Sequence, residues 1–399
     1  MSNERALAIS VAEFENLLAK IHKIGLEVVA QHAADVDQKA RFPVEGITAL
    51  KELKLLSCYV PTEFGGMGLE LMQVAKICEV LGHYCGSTAM IFAMHQIVVA
   101  CVIRHAHNAP WFHSYLRELV QQQRLIASAT TEIGVGGDLR SSICALEIDG
   151  NRFRITKKAP VISYGEAADD IMVTCRRAAD SPASDQVQLI VRKDRGPVTL
   201  EALSGWDTLG FRGTCSAGFV LTGEGSMDQI QPAPFAEILQ QTMHPHAHIL
   251  WSSLWLGIAS DAVNQARAFV RNEARKNPSM PPTSALRLAD ADSVLQGMRS
   301  NVYLTAIDYQ KMMAENRIDA FSGFGFAIRI NNLKVSSSNI AVDIVNRAML
   351  ICGIAGYRND SKFSLGRHLR DAHGAAIMVN NDRIMNHNAN MLLVHRGEN

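Results

Sequence analysis

Two apolar runs flank an Asp-Gly pair in the segment 143–155, ICALEIDGNRFRI. Apolar runs on either side of such a pair are a strong short-range signal for a β-hairpin. Further short runs of strand type follow, separated by turn residues, at 170–175, 187–191, 198–200 and 218–221. This spacing predicts about 100 residues of antiparallel β-structure, arranged as a sandwich or a barrel.

Helical patterning occupies both sides of this β-region. Before it, apolar residues recur three and four positions apart over 10–34, and a longer apolar helical stretch covers 71–102. After it come three proline-free helical stretches of a length that can form a bundle, at 250–270, 285–310 and 328–354. We therefore predict an α+β protein with three domains. They are an N-terminal helical domain (1–125), a central β-domain (126–235) and a C-terminal four-helix bundle (236–399).

The composition is that of a globular protein with a substantial core. Of 399 residues, 48% are hydrophobic and 20% are charged, and the 39 basic residues balance the 39 acidic ones. A balanced charge argues against nucleic-acid binding through a global basic field. The most apolar stretch, 89–103, contains His95 and Gln96 and is too short for a membrane span, and the first residues lack the order of a signal peptide. Eight cysteines without a C-x-x-C pair fit a reduced, cytoplasmic protein.

Four motifs occur in the order found in the acyl-CoA dehydrogenase superfamily of flavoproteins, which the chain resembles over nearly its whole length. The segment 61–68 (PTEFGGMG) is similar to a family turn, and 131–138 (TEIGVGGD) is similar to the family's flavin loop. The segment 206–214 (WDTLGFRGT) resembles a family strand, and GIAGY at 353–357 with RHLRD at 367–371 resembles the late family signature.

The resemblance implies a flavoprotein with FAD held between the three domains. It also implies a homotetramer or homodimer, because a neighbouring subunit holds part of the FAD adenine end in this family. The expected partners are an acyl thioester as substrate, and an electron-transfer flavoprotein or a flavin reductase.

The resemblance also assigns residues to the flavin site. Thr131 stands where the family's threonine contacts the ring, and Gly136 and Gly137 belong to a turn whose backbone can approach the flavin closely. Ser163 stands where a hydroxyl meets flavin N5, and Val161 replaces a tryptophan. Arg275 matches an arginine that reaches across the subunit interface to FAD, and Leu350 stands where many members have a glutamine near the neighbour's FAD. Gly353, in the late signature, is also assigned to the cofactor site.

Three histidines in the run HPHAH (244–248) suggest a metal cluster by composition only. Pro245 and the spacing of two fit neither a helical pair four residues apart nor a known zinc pattern, so we predict no metal site.

The resemblance does not extend to the catalytic base. Dehydrogenases of this family remove the substrate's α-proton with a carboxylate, and the two family positions for it correspond here to Val379 and Ala247. Asp382 and His95 are weak substitutes. Asp382 is better explained as a helix-cap residue or as an ion-pair partner of Arg383, and His95 as a satisfied core histidine.

Three functions therefore remain open from the sequence. The first is an FAD-dependent acyl-thioester dehydrogenase with an unusual base, or with a substrate acidic enough to need none. The second is a monooxygenase of the same superfamily, which uses reduced flavin (FAD or FMN) with O2 and needs no α-proton base. The third is a flavoprotein that has lost catalysis. Asparagines in the late segment 370–393 hint at a small or polar substrate.

Overall fold

The computed structural model describes residues 9–276, 278, 282–395 and 397. The N-terminal part is helical and contains α1 (Val11–Ile24), α2 (Ala30–Lys39), α3 (Val44–Glu52), α4 (Leu71–Tyr84), α5 (Gly86–His105) and α6 (Pro110–Gln122). A capping box at Ser10 and Glu13 begins α1.

Two of the predicted long helices are interrupted. The helix predicted over 10–34 contains a π-helical turn, Gly25–Val29, between α1 and α2. The stretch predicted over 71–102 divides into α4 and α5 at Cys85, whose backbone is extended. Neither break has a proline, which explains why apolar periodicity alone did not predict them.

The central part consists of two open sheets and not a closed barrel. One sheet has the order β1 (Ile126–Ala129), β4 (Asp170–Arg176), β5 (Gln186–Arg192). The other has the order β2 (Glu147–Asp149), β3 (Arg152–Ala159), β7 (Gly218–Ser226), β6 (Val198–Ser204), and the predicted hairpin pairs Ile148 with Phe153. The second sheet is antiparallel throughout, but β1 runs parallel to β4, so the prediction of a purely antiparallel region was wrong for that pair.

The C-terminal part is helical again. Short helices α7 (Phe235–Ile238), α10 (Ile318–Phe321) and α12 (Ile354–Tyr357) accompany the longer ones, which are α8 (His244–Lys276), α9 (Ser284–Ala314), α11 (Phe324–Cys352), α13 (Gly366–Ile377) and α14 (Asn381–Leu392). A π-helical turn, Leu239–Met243, joins α7 to α8.

Glycines allow α4 and α8 to cross in close contact. A Cβ on Gly82 would lie 2.3 Å from the carbonyl oxygen of Leu254, and a Cβ on Gly257 would lie 2.1 Å from that of Glu79. Both distances are too short for any side chain, so this crossing requires glycine on both helices. It fixes the start of α8, which carries much of the candidate site.

Two of the quoted motifs meet in space. The segment 206–214 is a loop ending in a 3-10 turn, Arg212–Thr214, and not the strand that the resemblance implied. Within it, the backbone N–H of Phe211 donates to Oδ1 of Asp371 over 2.7 Å, and Asp371 is buried. Loss of water at this site raises the pKa of Asp371 above its ordinary value. The contact joins the β-domain to α13.

Helix α5 is longer than the 15-residue apolar stretch suggested. Among the described residues it is one helix whose length and composition would allow it to cross a membrane. However, 89% of its most apolar window is buried inside the protein, as in the core helix of a soluble protein. Length and composition therefore do not distinguish the two roles here.

Candidate functional site

A cavity of about 420 Å³ lies where the three parts of the chain meet. Helix α5 supplies one wall with Met94, Ile97 and Val98, and the loops after β1 and β3 supply another. The π-helical turn before α8, the first two turns of α8, and the α13–α14 connection complete it. Its size is that of a small-molecule or cofactor site.

Four of the residues that the resemblance assigned to the flavin line this one cavity: Thr131, Gly137, Val161 and Ser163. Gly136 lies beside them in the glycine loop, where Gly136 and Gly137 have φ values of +60° and +78°. Arg275 is exposed near the end of α8, and Gly353 is exposed after α11 with φ +54°. These last two residues do not line the cavity. Asn277 and Ser279, which follow Arg275, lie outside the described residues.

The hydroxyl of Ser163 is oriented by a neighbouring hydroxyl. Ser216 Oγ donates to Ser163 Oγ over 2.8 Å, and Thr214 Oγ1 lies 2.7 Å from Ser216 Oγ. Because each hydroxyl carries a single hydrogen, Ser163 uses its oxygen as the acceptor in this bond and keeps its own hydrogen for another partner. Ser163 lines the cavity, so that partner can be a group bound there.

Both family positions for the base lie in the cavity wall. Ala247 on α8 and Val379 in the α13–α14 connection line the same space as Ser163. No aspartate or glutamate is among the described residues that line it. The alignment of both positions is therefore geometrically sensible, although neither side chain can accept a proton.

The two substitutes considered from the sequence lie elsewhere. Asp382 is an exposed residue in the first turn of α14, and its N–H donates to the Asn380 side chain, which caps the helix. His95 is fully buried, and both its ring nitrogens bond to the backbone, Nε2 to Leu56 O (2.7 Å) and Nδ1 to Ile126 N (3.1 Å). Burial lowers the pKa of His95 to about 4. These contacts are those of structural residues.

Two histidines of the HPHAH run do line the cavity. Helix α8 begins at His244, so His244 and His248 are four residues apart on one helical face, and their ring centroids are 4.2 Å apart. From the sequence, Pro245 argued against such a pair. That prediction was wrong, since Pro245 lies just after the π-helical turn Leu239–Met243, where the α-helical hydrogen-bond ladder is already interrupted. The spacing of four was the signal that could have found the pair.

Hydrogen bonds set the tautomer of each imidazole. His244 Nε2 lies 3.0 Å from Oδ1 of Asn331, and His248 Nδ1 lies 3.2 Å from the carbonyl oxygen of Ile330. Both partners are acceptors, so these nitrogens carry the hydrogens. The opposite nitrogens, Nδ1 of His244 and Nε2 of His248, are left as acceptors, and neither has a hydrogen-bond partner within the described part of the chain.

A chain of three asparagines, of which Asn331 and Asn388 are buried, fixes the orientation of Asn331. Asn331 Nδ2 donates to Asn388 Oδ1 (2.7 Å), and Asn388 Nδ2 donates to Asn332 Oδ1 (2.9 Å). This order turns the Asn331 oxygen towards His244. Asn388 is one of the asparagines that hinted at a polar substrate, and its role here is to orient the histidine.

Burial keeps both imidazoles neutral. It lowers the pKa of His244 to about 4 and the pKa of His248 well below its ordinary value. The proximity of His244 lowers the pKa of His248 further, because two charged imidazoles would repel each other. At neutral pH the pair therefore presents two unprotonated nitrogens.

Two cations lie near the base positions. Arg383 lines the cavity, and Lys334 is fully buried behind it. Lys334 Nζ donates to the carbonyl oxygen of Val379 (2.6 Å) and to Asn381 Oδ1 (2.7 Å). Val379 has φ +48°, which is unusual for a β-branched residue. Strained backbone of this kind is found where the surrounding contacts determine the conformation, often at functional sites.

The residues present fit a flavin. The free hydroxyl hydrogen of Ser163 is a donor for a ring nitrogen, and the glycine loop allows close approach of the backbone. The indole Nε1 of Trp251, which also lines the cavity, is buried without a partner among the described residues. Such a donor indicates a bound group that is polar on one side. Among the residues that the structure describes, no cluster of three metal-binding side chains occurs.

The sequence matches two domains of known proteins. Residues 12–123 match the acyl-CoA dehydrogenase N-terminal domain and residues 239–387 match the acyl-CoA dehydrogenase C-terminal domain. The short-chain-specific acyl-CoA dehydrogenase of Clostridium acetobutylicum is 23% identical over 349 residues, which are 85% of this chain and 87% of that protein.

Solved structures give the same picture for the fold. Butyryl-CoA dehydrogenase from Megasphaera elsdenii superposes with a TM-score of 0.82 at 19% identity, covering 96% of this chain and 99% of that one. FMN-bound TdsC from Paenibacillus sp. A11-2, a dibenzothiophene monooxygenase, also gives 0.82, at 17% identity and with 96% and 98% covered. The order of the domains, the cavity that forms where they meet and the two domain matches together show that this chain belongs to the acyl-CoA dehydrogenase family of flavin-dependent oxidoreductases.

Proposed function

We propose that the protein is an FAD-dependent dehydrogenase of acyl thioesters in which an imidazole of the His244–His248 pair replaces the carboxylate base. The observation that carries the proposal is the position of the pair. His244 and His248 line the same cavity as Ser163, Ala247 and Val379, and each has an unprotonated nitrogen without a partner in the described residues.

The basicity of the buried imidazole suits this role. An ordinary glutamate has a pKa of about 4.3, and burial brings the pKa of His244 to about 4. His244 is therefore a base of carboxylate strength that is deprotonated at neutral pH, as a general base must be. Asn331 holds the other nitrogen as a donor and so keeps the accepting one free.

The reaction separates one proton and one hydride. The C–H bond on the α-carbon breaks, and its proton goes to the imidazole nitrogen. A carbon–carbon double bond forms as the β-carbon loses a hydride. An oxidised flavin, which Ser163 and the glycine loop would hold, would supply the hydride acceptor. Ser163 and Trp251 orient the groups held against the cavity wall. We propose an electron-transfer flavoprotein as the acceptor of the electrons.

A second cavity supports a phosphate-bearing carrier such as CoA. It measures about 720 Å³, and its lining includes Lys311, Arg317 and Arg329, the last of them paired with Asp308. It lies next to the first cavity at Ile330, which lines the second space and whose carbonyl accepts from His248. Cations of this kind attract phosphate groups.

An oligomer is also part of the proposal. Three large side chains around Gly353 are exposed, with Leu350 at 69%, Ile354 at 72% and Tyr357 at 74% of their full accessibility. A cluster of exposed apolar groups indicates an interaction surface. We expect a homotetramer or homodimer in size-exclusion chromatography with light scattering, and a monomer would contradict this part of the proposal.

Anaerobic titration tests the chemistry. The FAD-loaded protein is mixed with a panel of acyl-CoA thioesters while the visible absorption of oxidised flavin is followed. We expect bleaching with one class of thioester, and a loss of rate of 100-fold or more in His244→Gln or His248→Gln, the range in which positioned bases contribute. His246→Gln is the matched control, because His246 is buried on the same helix but bonds to Tyr59 and Thr242 outside the cavity.

A monooxygenase is the second candidate, favoured by the absence of a carboxylate among the described cavity residues. It predicts that no thioester bleaches the flavin. It further predicts that protein loaded with reduced FMN or FAD consumes O2 and oxygenates a small organic substrate. That pair of results would replace the dehydrogenase proposal.

A further inference from the structure

Arg383 connects the C-terminal helices to the glycine loop of the β-domain. Its two terminal nitrogens donate to backbone carbonyl oxygens, Nη1 to Gly137 (2.6 Å) and Nη2 to Gly136 (2.5 Å). The residue stands in the first turn of α14, which is capped by Asn380. The two bonds join residues that are 246 and 247 positions apart in the sequence. No local sequence motif therefore predicts this contact.

The guanidinium occupies the space that a side chain at position 137 would need. A Cβ on Gly137 would lie 2.3 Å from Arg383 Nη1 and 3.0 Å from Nη2. The resemblance places a phosphate-contacting serine at this position, and this chain has glycine. A side chain at position 137 would therefore require the Arg383 guanidinium to move, and the loop has a guanidinium where the family motif has a hydroxyl.

The charge of Arg383 is not neutralised within the described residues. No carboxylate forms an ion pair with it there, and the nearby acid of the loop, Asp138, bonds to Arg140 instead (3.3 Å). A guanidinium has five N–H groups, and Arg383 uses two of them on the loop carbonyls. Three N–H groups and a full positive charge remain at the edge of the cavity.

We propose that Arg383 binds the phosphate of the flavin and takes over the contact that Gly137 cannot make. Arginine is well suited to phosphate because its planar donors match the phosphate oxygens. The inference rests on the flavin site proposed above and adds that the phosphate is recognised from α14 and not only from the loop. The carbonyls of Gly136 and Gly137 position the guanidinium for this contact.

Binding of three flavins without substrate tests the inference. Riboflavin, FMN and FAD are titrated against the apoprotein, and the dissociation constant is read from quenching of flavin fluorescence. In the wild type we expect FMN and FAD to bind more tightly than riboflavin. In Arg383→Ala we expect FMN and FAD to weaken roughly 10- to 100-fold, the range for charged hydrogen bonds, while riboflavin changes little.

Two further variants control for folding and for general charge. Arg383→Lys keeps the charge but loses the paired donors, so it should retain part of the gain from phosphate. Arg140→Ala removes an exposed arginine of the same loop and should alter none of the three affinities. Melting temperatures are compared for all variants.

The outcomes separate this inference from the proposed function. If Arg383→Ala weakens all three flavins equally, the residue only orders the loop and the inference is wrong, while the flavin site stands. If FMN and FAD bind to the wild type no more tightly than riboflavin does, the inference is also wrong, while the flavin site stands. If no flavin binds to the wild type in either oxidation state, both the inference and the proposed function are overturned.

Discussion

Lys334 is a buried ammonium whose charge should make stability depend on pH. Its side chain has no measurable solvent exposure, and it donates to Val379 O and Asn381 Oδ1. Loss of water around it lowers the pKa of Lys334 from 10.5 to about 8. The protonated form is therefore less favourable in the folded chain than in the unfolded chain.

The sign and size of the effect follow from linkage. Between pH 8 and 10.5 the unfolded chain holds more protons at this lysine than the folded chain, so its contribution to the free energy of unfolding increases as pH rises. The difference between 10.5 and about 8 corresponds in full to about 3 kcal/mol at 1.36 kcal/mol per pKa unit. About 2 kcal/mol of that is gained between pH 7.5 and pH 9.5.

The substitution Lys334→Met removes this contribution at a matched volume. Urea unfolding of wild type and variant is measured at pH 7.5 and 9.5, and the quantity of interest is the difference between the two proteins at each pH. The lost bonds to Val379 and Asn381 add an offset that does not depend on pH. Buried thiols such as Cys144, whose pKa is raised to about 11 by burial, lower the stability of both proteins alike at high pH.

From pH 7.5 to pH 9.5, we expect the free energy of unfolding of the wild type to rise by about 2 kcal/mol relative to that of the variant. Lys158→Met, at an exposed position of β3, is the control and should show no such gain. The reasoning would be refuted if the difference in free energy of unfolding between wild type and Lys334→Met changed by less than about 0.5 kcal/mol from pH 7.5 to pH 9.5. It would mean that Lys334 is hydrated in the folded protein and keeps a pKa near its ordinary value.

Three other predictions concern the core and the site. His95→Ala should lower the free energy of unfolding by about 3 kcal/mol or more in urea, because Leu56 O and Ile126 N lose their partner, without weakening flavin binding. Asp170→Asn should cost about 1.5–3 kcal/mol in the same assay, since it removes the charge of Asp170 from its buried pair with Arg124 (2.6 Å), while Arg124 keeps its pair with Asp194 (3.0 Å). Ser163→Ala should weaken FAD about 10-fold by fluorescence titration, and Ser216→Ala should weaken it less, because Ser216 only orients the Ser163 hydroxyl.

Hydrophobic periodicity and the Asp-Gly turn predicted the order of helical and β segments because they report on local burial. The hairpin at Asp149 and Gly150 needs no distant contact to form, and the long helices after Phe235 are apolar stretches without an internal break. The parallel pairing of β1 with β4 could not be predicted in this way. It joins Ile126 to Asp170 across 44 residues, and strand type alone does not encode direction.

The candidate site divides along the same line. Thr131, Gly137, Val161 and Ser163 belong to contiguous motifs, so the resemblance could bring them to one place. The choice of base failed because it counted positions along the chain. Asp382 is three residues from Val379 yet its side chain is exposed, and His95 is on a cavity helix yet turned into the core. Direction around a helix, and not distance in sequence, decides which residue reaches a cavity.

Helical phase also explains how two missing side chains can be replaced. Ala247 lacks the carboxylate of one family position, and His244 and His248 lie three residues before it and one after it on the same helix. Gly137 lacks a hydroxyl, and Arg383 reaches its space from α14.

In both cases the replacing group differs in charge from the lost one. A neutral imidazole stands for a carboxylate and a cation for a hydroxyl, so the cavity carries no negative side chain among its described residues. Such a site stabilises electron-rich groups, including a thioester oxygen that gains charge as its α-proton leaves. In the proposed roles the imidazole acts on the substrate and Arg383 on the flavin phosphate, and replacing His244 by glutamate should not restore a family-like enzyme while Arg383 and Lys334 remain.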